Sequence, residues 1–184
     1  MKSRPQNTQY YFKKCITWSK VTIGGFSVRY IPNGFLFDVA GCSIFFDREE
    51  EIYYYLGLLN SKVTKRILSF LSPTVNYEVG HIASIPIIDN KSNTIEELVS
   101  ECVSISKHDW DSFETSWDFK KHPLLTYKKE AKTIEQAFNN WRAFAEQQFY
   151  KLKENEEELN RIFIEIYGLQ NELTPEVDEK DVTI

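Results

Sequence analysis

The chain has 184 residues, of which 42% are apolar and 15% aromatic, enough to fill the core of one ordinary domain or of a small domain with an added element. This composition excludes a disordered chain, and without an apolar N-terminal stretch or a run approaching about 20 apolar residues we expect a cytoplasmic protein that does not enter a membrane. The three cysteines lack metal-ligand spacing, which favours buried reduced thiols over disulfides or a zinc site.

The net charge of −5 is distributed unevenly along the chain. Residues 1–90 hold ten Lys and Arg against seven Asp and Glu, so this half carries +3 and the rest of the chain −8. A basic half can attract phosphate, which makes nucleic acid a candidate partner for residues 1–90 only. Taken alone, an excess of this size fits ordinary surface variation better.

Residues 9–47 are typical of β-strands. Aromatic and β-branched residues fill three stretches, which the turn sequences Gly24-Gly25 and Pro32-Asn33-Gly34 separate, so we expect a small twisted sheet here. No helical pattern follows Gly24-Gly25, and a tight hairpin turn is therefore expected at that position.

A helix of about six turns is expected after the sheet, because apolar residues recur there at three- and four-residue spacing. Asp47 is its expected N-cap, and Glu49, Glu50 and Glu51 favour the positive end of the helix dipole. Pro73 is expected to end it. The following stretch "VGHIASIPI", residues 79–87, is expected to finish as a short Ile-Pro-Ile strand.

The second half of the chain is predicted to be helical. An amphipathic helix is expected at 93–107, capped by Asn93 or Thr94, then an irregular aromatic connector at 108–130 and a long amphipathic helix from Lys132 to Tyr167. Near-heptad spacing predicts an antiparallel partner for the long helix, either the 94–107 helix or another chain, the latter giving helix-mediated self-association. The acidic tail that follows is expected to be frayed.

No catalytic residue and no metal ligand is predicted. Asp118, Glu130 and Lys132 have the Asp…Glu-x-Lys order of metal-dependent nucleases, but that chemistry needs both acids on adjacent strands, whereas Lys132 begins a helix. The three histidines are scattered and have no carboxylate or cysteine at ligand spacing. We expect this chain to be non-catalytic by itself.

The basic side chains on the predicted strands have two interpretations: they form a surface that contacts DNA, or they only protect the edges of the sheet. Lysines and an arginine interleave with Tyr and Trp on the predicted strands, a mixture that suits phosphate contacts and polar contacts to base edges. Lysines on strands also serve simply to protect sheet edges, and these residues alone leave the two interpretations even. The base-edge candidates are Thr17, Ser19, Ser27 and Arg29; the cationic candidates on the sheet are Lys13, Lys14 and Lys20, and the phosphate candidates on the following helix are Lys62, Lys65 and Arg66.

Four blocks of the sequence carry a resemblance to a known family. They are "ITWSKVTIGGFSVRYIPNGFLFDVAGCSIFF", "YYLGLLNSKVTKRILSFLSPTVNYEVGHIASIPI", "WDSFETSWDFKKHPLL" and "NEEELNRIFIEIYGLQNELTPEV". In this order they resemble the C-terminal part of adenine-specific DNA methyltransferases of the PglX type, from bacterial phage-exclusion (BREX) systems, and related blocks of fused restriction-modification enzymes. The "DSFETSWDF" block is the specific one. The Asn-Ser-Lys helix followed by "VGHIASIPI" is a looser pattern of target recognition domains, from which His81 departs where Asp is frequent.

The resemblance implies an α+β fold with two parts. Residues 1–90 would form a target recognition domain, in which a helix buttresses the small sheet and a proline-rich strand completes it, and residues 91–184 a helical segment with an acidic tail. The chain would be the DNA-sequence-recognition portion of an adenine-specific methyltransferase of a phage-defence or restriction-modification system. Double-stranded DNA would be its partner, together with a methyltransferase catalytic domain in cis or in trans, and DNA contact becomes the favoured interpretation of the basic half.

The catalytic motifs of that family are not found in this sequence. Methyl transfer needs a glycine-rich turn for S-adenosylmethionine and an Asn/Asp/Ser-Pro-Pro-aromatic loop for the flipped adenine, whereas Ser72-Pro73-Thr74-Val75 lacks the second proline and the aromatic ring. S-adenosylmethionine is therefore expected only in the parent enzyme. Two alternatives stay open: a free-standing specificity subunit that docks on a separate methyltransferase, and a protein-interaction module that does not bind DNA.

Overall fold

A computed structural model describes residues 5–90 and 92–182, and the predicted α+β class is confirmed. The strands are β1 (Cys15–Ser19), β2 (Arg29–Ile31) and β3 (Gly41–Ile44). The α-helices found in the described ranges are α1 (Glu49–Asn60), α2 (Lys62–Leu71), α3 (Val79–Ala83), α4 (Asn93–Trp110), α5 (Pro123–Thr126) and α6 (Ile134–Ile166). Short 3-10 turns lie at Thr8–Tyr10 and Glu179–Asp181.

The sheet has the order β2-β1-β3, and both pairings are antiparallel. Ile16 and Trp18 of β1 are buried against the helices, and the indole nitrogen of Trp18 donates to the carbonyl of Tyr77 at 2.9 Å. Because successive side chains of a strand alternate, Thr17 and Ser19 lie on the opposite face, which we call the outer face. The β1–β2 connection runs from residue 20 to 28, so Gly24-Gly25 bends a longer loop and the expected tight turn is wrong.

The prediction of one continuous helix after the sheet is wrong, because Ser61 divides it into α1 and α2. The hydroxyl of Ser61 donates to the carbonyl of Leu58 at 2.7 Å and accepts from the amide of Thr64 at 3.4 Å, which makes it the N-cap of α2. At the other end of α1 the N-cap position belongs to Arg48 rather than to Asp47. The acidic first turn lies where the sequence predicted it.

The Ile-Pro-Ile strand is not formed. The "VGHIA" residues make α3, in which the Nδ1 atom of His81 accepts from the backbone amide of Glu78 at 3.2 Å, a role that a carboxylate fills equally well. Residues 86–90 carry no strand pairing, and tyrosine hydroxyls take the place of a neighbouring strand: Tyr167 donates to the carbonyl of Pro86 at 2.6 Å and Tyr54 to that of Ile88. Burial raises the pKa of Tyr54 to about 12, so its hydroxyl stays a donor.

The long helix predicted from Lys132 to Tyr167 is confirmed as α6, which spans 33 residues from Ile134 to Ile166 and packs against α4. The two helices are antiparallel, since His108 contacts Phe144 while Glu101 accepts from Asn155 at 2.8 Å. Pairing of α6 with another chain stays a prediction. Helix α4 begins after Ser92, rather than after Asn93 or Thr94, and runs past the predicted end to Trp110, so the irregular connector is shorter than expected and contains α5.

The acidic tail is packed, so the expectation of fraying is wrong. The side-chain amide of Asn160 donates to the carbonyl of Pro175 at 3.2 Å, and Glu157 accepts from the amide of Val177 at 2.9 Å. Val182 is buried in a small cluster with apolar side chains of α4 and α6. Within the described residues, no helix is both long enough and apolar enough to span a membrane.

One hydrophobic core joins the two halves of the chain. It contains Ile16 and Trp18 of the sheet, Leu58 and Leu59 of α1, and Phe163 of α6, all of them almost fully buried. The sheet therefore rests on helices from both sides of residue 91, and its outer face points away from this core. The division of roles at residue 90 stays a prediction about function.

Candidate nucleic-acid interface

The strand register brings three of the four predicted base-edge residues to the outer face. Thr17 lies directly opposite Arg29 on β2 and opposite Ser43 on β3, while Ser19 lies opposite Gly41. Ser27 lies two residues before Arg29 and has the same orientation, because Phe26 and Val28, the residues on either side of Ser27, are buried. The register between the strands and the alternation of side chains along each strand together place these polar residues on one face.

A groove of about 380 Å³ lies on this face. Its floor includes Cys15, Thr17, Ile31 and Ser43, and Lys13 stands at one end. The hydroxyl of Thr17 donates to the carbonyl of Cys42 at 2.8 Å, so its oxygen lone pairs are left to accept from a ligand. Burial raises the pKa of the Cys15 thiol, which keeps the floor uncharged.

The loop between β2 and β3 forms the wall of the groove, which the sequence patterns did not reveal. Phe35, Leu36, Phe37 and Asp38 line it, and Asp38 accepts from the amides of Ala40 and Gly41, each at 2.9 Å. This loop is tied to the N-terminal segment, because the amide of Phe12 donates to the carbonyl of Phe35 and the amide of Gly34 to the carbonyl of Phe12, both at 3.0 Å. Gly34 has a φ of +105°, a conformation that side chains disfavour, so glycine suits this turn.

Arg29 stands out among the predicted residues because its guanidinium is exposed and, within the described ranges, forms neither an ion pair nor a hydrogen bond. An arginine in this position could pair with Asp38 or Glu78, but Asp38 caps the loop and Glu78 pairs with Lys20 at 3.0 Å. Among the described residues, the donors of Arg29 are therefore free for a ligand.

The three predicted lysines of the sheet have different environments. Lys13 is exposed, with its ammonium group 5.7 Å from the centre of the Tyr10 ring. Lys14 pairs with Glu49 at the start of α1, and this hydrogen bond raises the pKa of Lys14. Lys20 pairs with Glu78, whose pKa is lowered by hydrogen bonds from Lys20 and Asn76. Of the three, Lys13 keeps its charge free for phosphate.

The predicted phosphate residues of α2 contact the acidic tail instead of the outer face. Lys62 donates to the carbonyl of Glu176, and Arg66 lies 4.0 Å from the carboxylate of Glu172 and 4.8 Å from the ring centre of Phe70. Lys65 is exposed and makes no ion pair in the part of the chain that the structure describes. The structure thus separates the ten predicted residues into a sheet group and an α2 group.

The residues considered for catalysis do not form a site. Asp118 pairs with Lys107 at 2.7 Å. Within residues 5–90 and 92–182, no three His, Cys, Asp or Glu side chains lie together in a group that could hold a metal ion. Gly24-Gly25 leads into strand β2, so it lacks the helix N-terminus on which a glycine-rich turn would hold the S-adenosylmethionine of the family. Gly24-Gly25 therefore does not form the cofactor turn of the family.

Comparison with known proteins finds homologues over the whole chain. The chain is 42% identical over 187 aligned residues to the adenine-specific methyltransferase PglX of Lacticaseibacillus casei (strain Zhang), a match that covers 100% of this chain and 16% of that protein. It is 35% identical over 175 residues to the adenine-specific methyltransferase BrxX of Escherichia coli O9:H4 (strain HS), covering 94% of this chain and 14% of that protein. No protein-family model matches the chain. The resemblance found in the sequence blocks is confirmed, and the chain spans about a sixth of the length of these relatives.

Proposed function

We propose that this chain is the DNA-sequence-recognition portion of an adenine-specific DNA methyltransferase of a phage-defence system, and that the outer face of its sheet contacts duplex DNA. The observation that carries this proposal is the free guanidinium of Arg29 beside Thr17 on a polar sheet face, in a chain homologous to PglX. A structural arginine would have an acidic partner. An arginine on a flat face without one has donors for a guanine edge or a phosphate.

In this proposal each group of the outer face has a separate task. Lys13, at the end of the groove, neutralises a phosphate and thereby releases counterions, which strengthens binding to every sequence. Arg29 offers the bidentate fork that distinguishes guanine, and the oxygen of Thr17 accepts from an exocyclic amine. Methyl transfer and S-adenosylmethionine binding belong to a catalytic region outside this chain, joined to it in cis or in trans.

Fluorescence anisotropy with a labelled duplex tests the proposal. The chain is titrated into the duplex at about 50 and 200 mM salt; a few phosphate contacts predict an affinity that falls steeply between the two. The control is a variant in which Lys13 and Arg29 are both changed to Ala, which removes the cations of the sheet face that have no ion partner in residues 5–90 and 92–182, while leaving the ion pairs of Lys14 and Lys20. Unchanged anisotropy at low salt with excess protein contradicts DNA contact.

A protein-interaction role is the second candidate, and the loops beside the sheet favour it. Ile23 is 95% exposed and Val39 is 77% exposed, and a contiguous patch of such apolar side chains would mark a protein contact. The same titration separates the candidates, since a surface that binds protein through these side chains gives no salt-dependent DNA binding. A double change of Ile23 and Val39 to Ser leaves DNA affinity unchanged if the sheet face carries the contact.

A further inference from the structure

The C-terminal half of α4 and the facing part of α6 border a cavity of about 270 Å³. Three side chains of each helix line most of it: Ile105, His108 and Asp109 of α4, and Trp141, Phe144 and Phe149 of α6. The cavity shares no residue with the groove of the outer face. Pockets for drug-sized ligands have volumes of about 300–1,000 Å³, so this one suits a single side chain better than a nucleotide or a cofactor.

The α6 side of this cavity is aromatic. Its residues recur at three- and four-residue spacing, so their side chains share one face of the helix. The ring centre of Phe144 lies 5.4 Å from that of His108 and 4.7 Å from that of Tyr127. The Nε2 atom of His108 lies 3.1 Å from the hydroxyl oxygen of Tyr127, so this histidine has its hydrogen-bond partner within the chain. Because the faces of aromatic rings carry partial negative charge, such a lining attracts cations.

Asp109 is the charged side chain of the cavity whose charge is not compensated. Its carboxylate forms neither a hydrogen bond nor an ion pair with any residue that the structure describes, whereas Glu146, also at the cavity, pairs with Arg142 at 2.8 Å. Burial raises the pKa of Asp109, although the neighbouring His108 acts in the opposite direction. Asp109 also lies in the last turn of α4, where a negative charge faces the negative end of the helix dipole. A carboxylate in this unfavourable environment gains most from a cation that enters the cavity.

We propose that the cavity receives an arginine side chain of a partner protein, with its guanidinium between Asp109 and the aromatic rings of α6. A guanidinium is planar, stacks on aromatic rings and donates two parallel hydrogen bonds to one carboxylate, which an ammonium group does not do. The partner is a protein rather than DNA, because residues 91–184 carry a charge of −8, which repels phosphate and attracts a basic surface. This inference goes beyond the proposed function, since it does not depend on what the sheet binds.

NMR titration of the ¹⁵N-labelled chain with short acetylated peptides tests the proposal. The probes are Gly-Arg-Gly and Gly-citrulline-Gly, in which citrulline keeps the shape of arginine without its charge. We expect the arginine peptide, at millimolar concentration, to shift the indole N–H of Trp141 and the backbone amide of Asp109 until saturation, and the citrulline peptide to bind about tenfold more weakly. Asp109→Asn should weaken binding of the arginine peptide about tenfold. Glu97→Gln is the matched control, because Glu97 is exposed on the same helix twelve residues earlier, and it should leave the affinity unchanged.

Thermal melting keeps lost binding apart from a folding defect. Because the charge of Asp109 is unpaired in the free chain, Asp109→Asn should melt at or above the temperature of the wild type. Melting clearly below the wild type would give the carboxylate a structural role and overturn the proposal.

Three results of the titration would also overturn the proposal. They are absent or equal binding of the two peptides, binding of the arginine peptide that Asp109→Asn leaves unchanged, and a shift of the Trp141 indole with the concentration of the chain alone, which would make a second copy of this chain the occupant. DNA contact by the sheet is decided separately, by the salt dependence of the anisotropy titration.

Discussion

Asn60 shows how one side chain positions the candidate interface. Its carbonyl oxygen accepts from the amide of Val28 at 2.9 Å, and its NH₂ group donates to the carbonyl of Val28 at 3.1 Å and to that of Leu56 at 3.1 Å. The side-chain amide of Asn60 thus forms the two hydrogen bonds to the backbone of Val28 that a neighbouring strand would form. This is a physical reason for the asparagine of the Asn-Ser-Lys motif, and it fixes the strand that carries Arg29.

Replacing Asn60 by Ala should destabilise the fold strongly. The change leaves the amide and carbonyl of Val28 without partners at a partly buried position, which costs about 2–4 kcal/mol of unfolding free energy. Urea denaturation of the two proteins measures the difference. Asn139→Ala is the control, because Asn139 is exposed on α6 and should change stability by less than about 0.5 kcal/mol. Equal effects of the two variants would show that Asn60 does not support the strand.

Lys13 and Lys14 are adjacent in sequence, but only Lys14 has an ion partner. Each is therefore a suitable control for the other. Lys13→Ala removes a free cation at the groove, so the slope of log affinity against log salt should become less steep by about one. Lys14 is already neutralised by Glu49, and Lys14→Ala should leave the slope as it is. Anisotropy titrations at four salt concentrations give both slopes. A larger change of slope in Lys14→Ala than in Lys13→Ala would show that the phosphate contact lies on the other side of the sheet.

At the scale of elements, Gly57 sets how closely α1 approaches its two helical neighbours. A Cβ atom built there would lie 2.9 Å from Val99 of α4 and 3.3 Å from Phe163 of α6. Gly57→Ala should therefore cost about 1–3 kcal/mol, because the core must shift to accept one methyl group. Gly80→Ala is the control, since nothing lies within 4 Å of that position in α3 and alanine favours a helix. Thermal melting should separate the two; equal melting temperatures would contradict the close packing.

The sequence predicted those elements whose pattern is local. Three strands and the two long helices follow from their apolar periodicity and from their Gly and Pro boundaries. The break at Ser61 was missed because the apolar spacing continues across it, while its hydrogen bonds include one across 98 residues, from the amide of Lys62 to the side chain of Asn160. The Ile-Pro-Ile stretch has the composition of a strand, but tyrosine hydroxyls of α1 and of the end of α6 satisfy its carbonyls instead, which no local pattern reveals.

Only the part of the candidate site that depends on a local pattern could be predicted from the sequence. The alternation of side chains along "FSVRYIP" predicts Phe26 and Val28 in the core and Arg29 toward solvent, and the structure has them so. The ring of Phe35 in the groove wall stacks with that of Trp117, 82 positions away, and periodicity cannot find such a contact. The charge of Lys62 gave no sign that its partner would be the tail of the same chain.

For the whole molecule, the uneven charge is partly neutralised within the fold. The acidic tail lies on the basic helix α2 through Glu172 and Glu176. Among the described residues of the first half, the cations whose charged groups form neither an ion pair nor a hydrogen bond are then Lys13 and Arg29 on the sheet side and Lys65 on α2. The tail also packs Val182 between α4 and α6. The helical half therefore supports the sheet through the shared core and shields α2, while the outer face stays open for a partner.

The most direct test of sequence recognition is a transplant into an intact enzyme. Residues 1–184 replace the matching segment of the E. coli relative, and sequencing that detects N6-methyladenine identifies the methylated sites made by the parent, the graft and the graft with Arg29→Ala. Our account predicts that the graft methylates a motif set by the transplanted segment, and that Arg29→Ala relaxes or abolishes this motif while Arg142→Ala, on the distant helix α6, preserves it. An unchanged motif at full efficiency in both the graft and its Arg29→Ala variant would contradict the account.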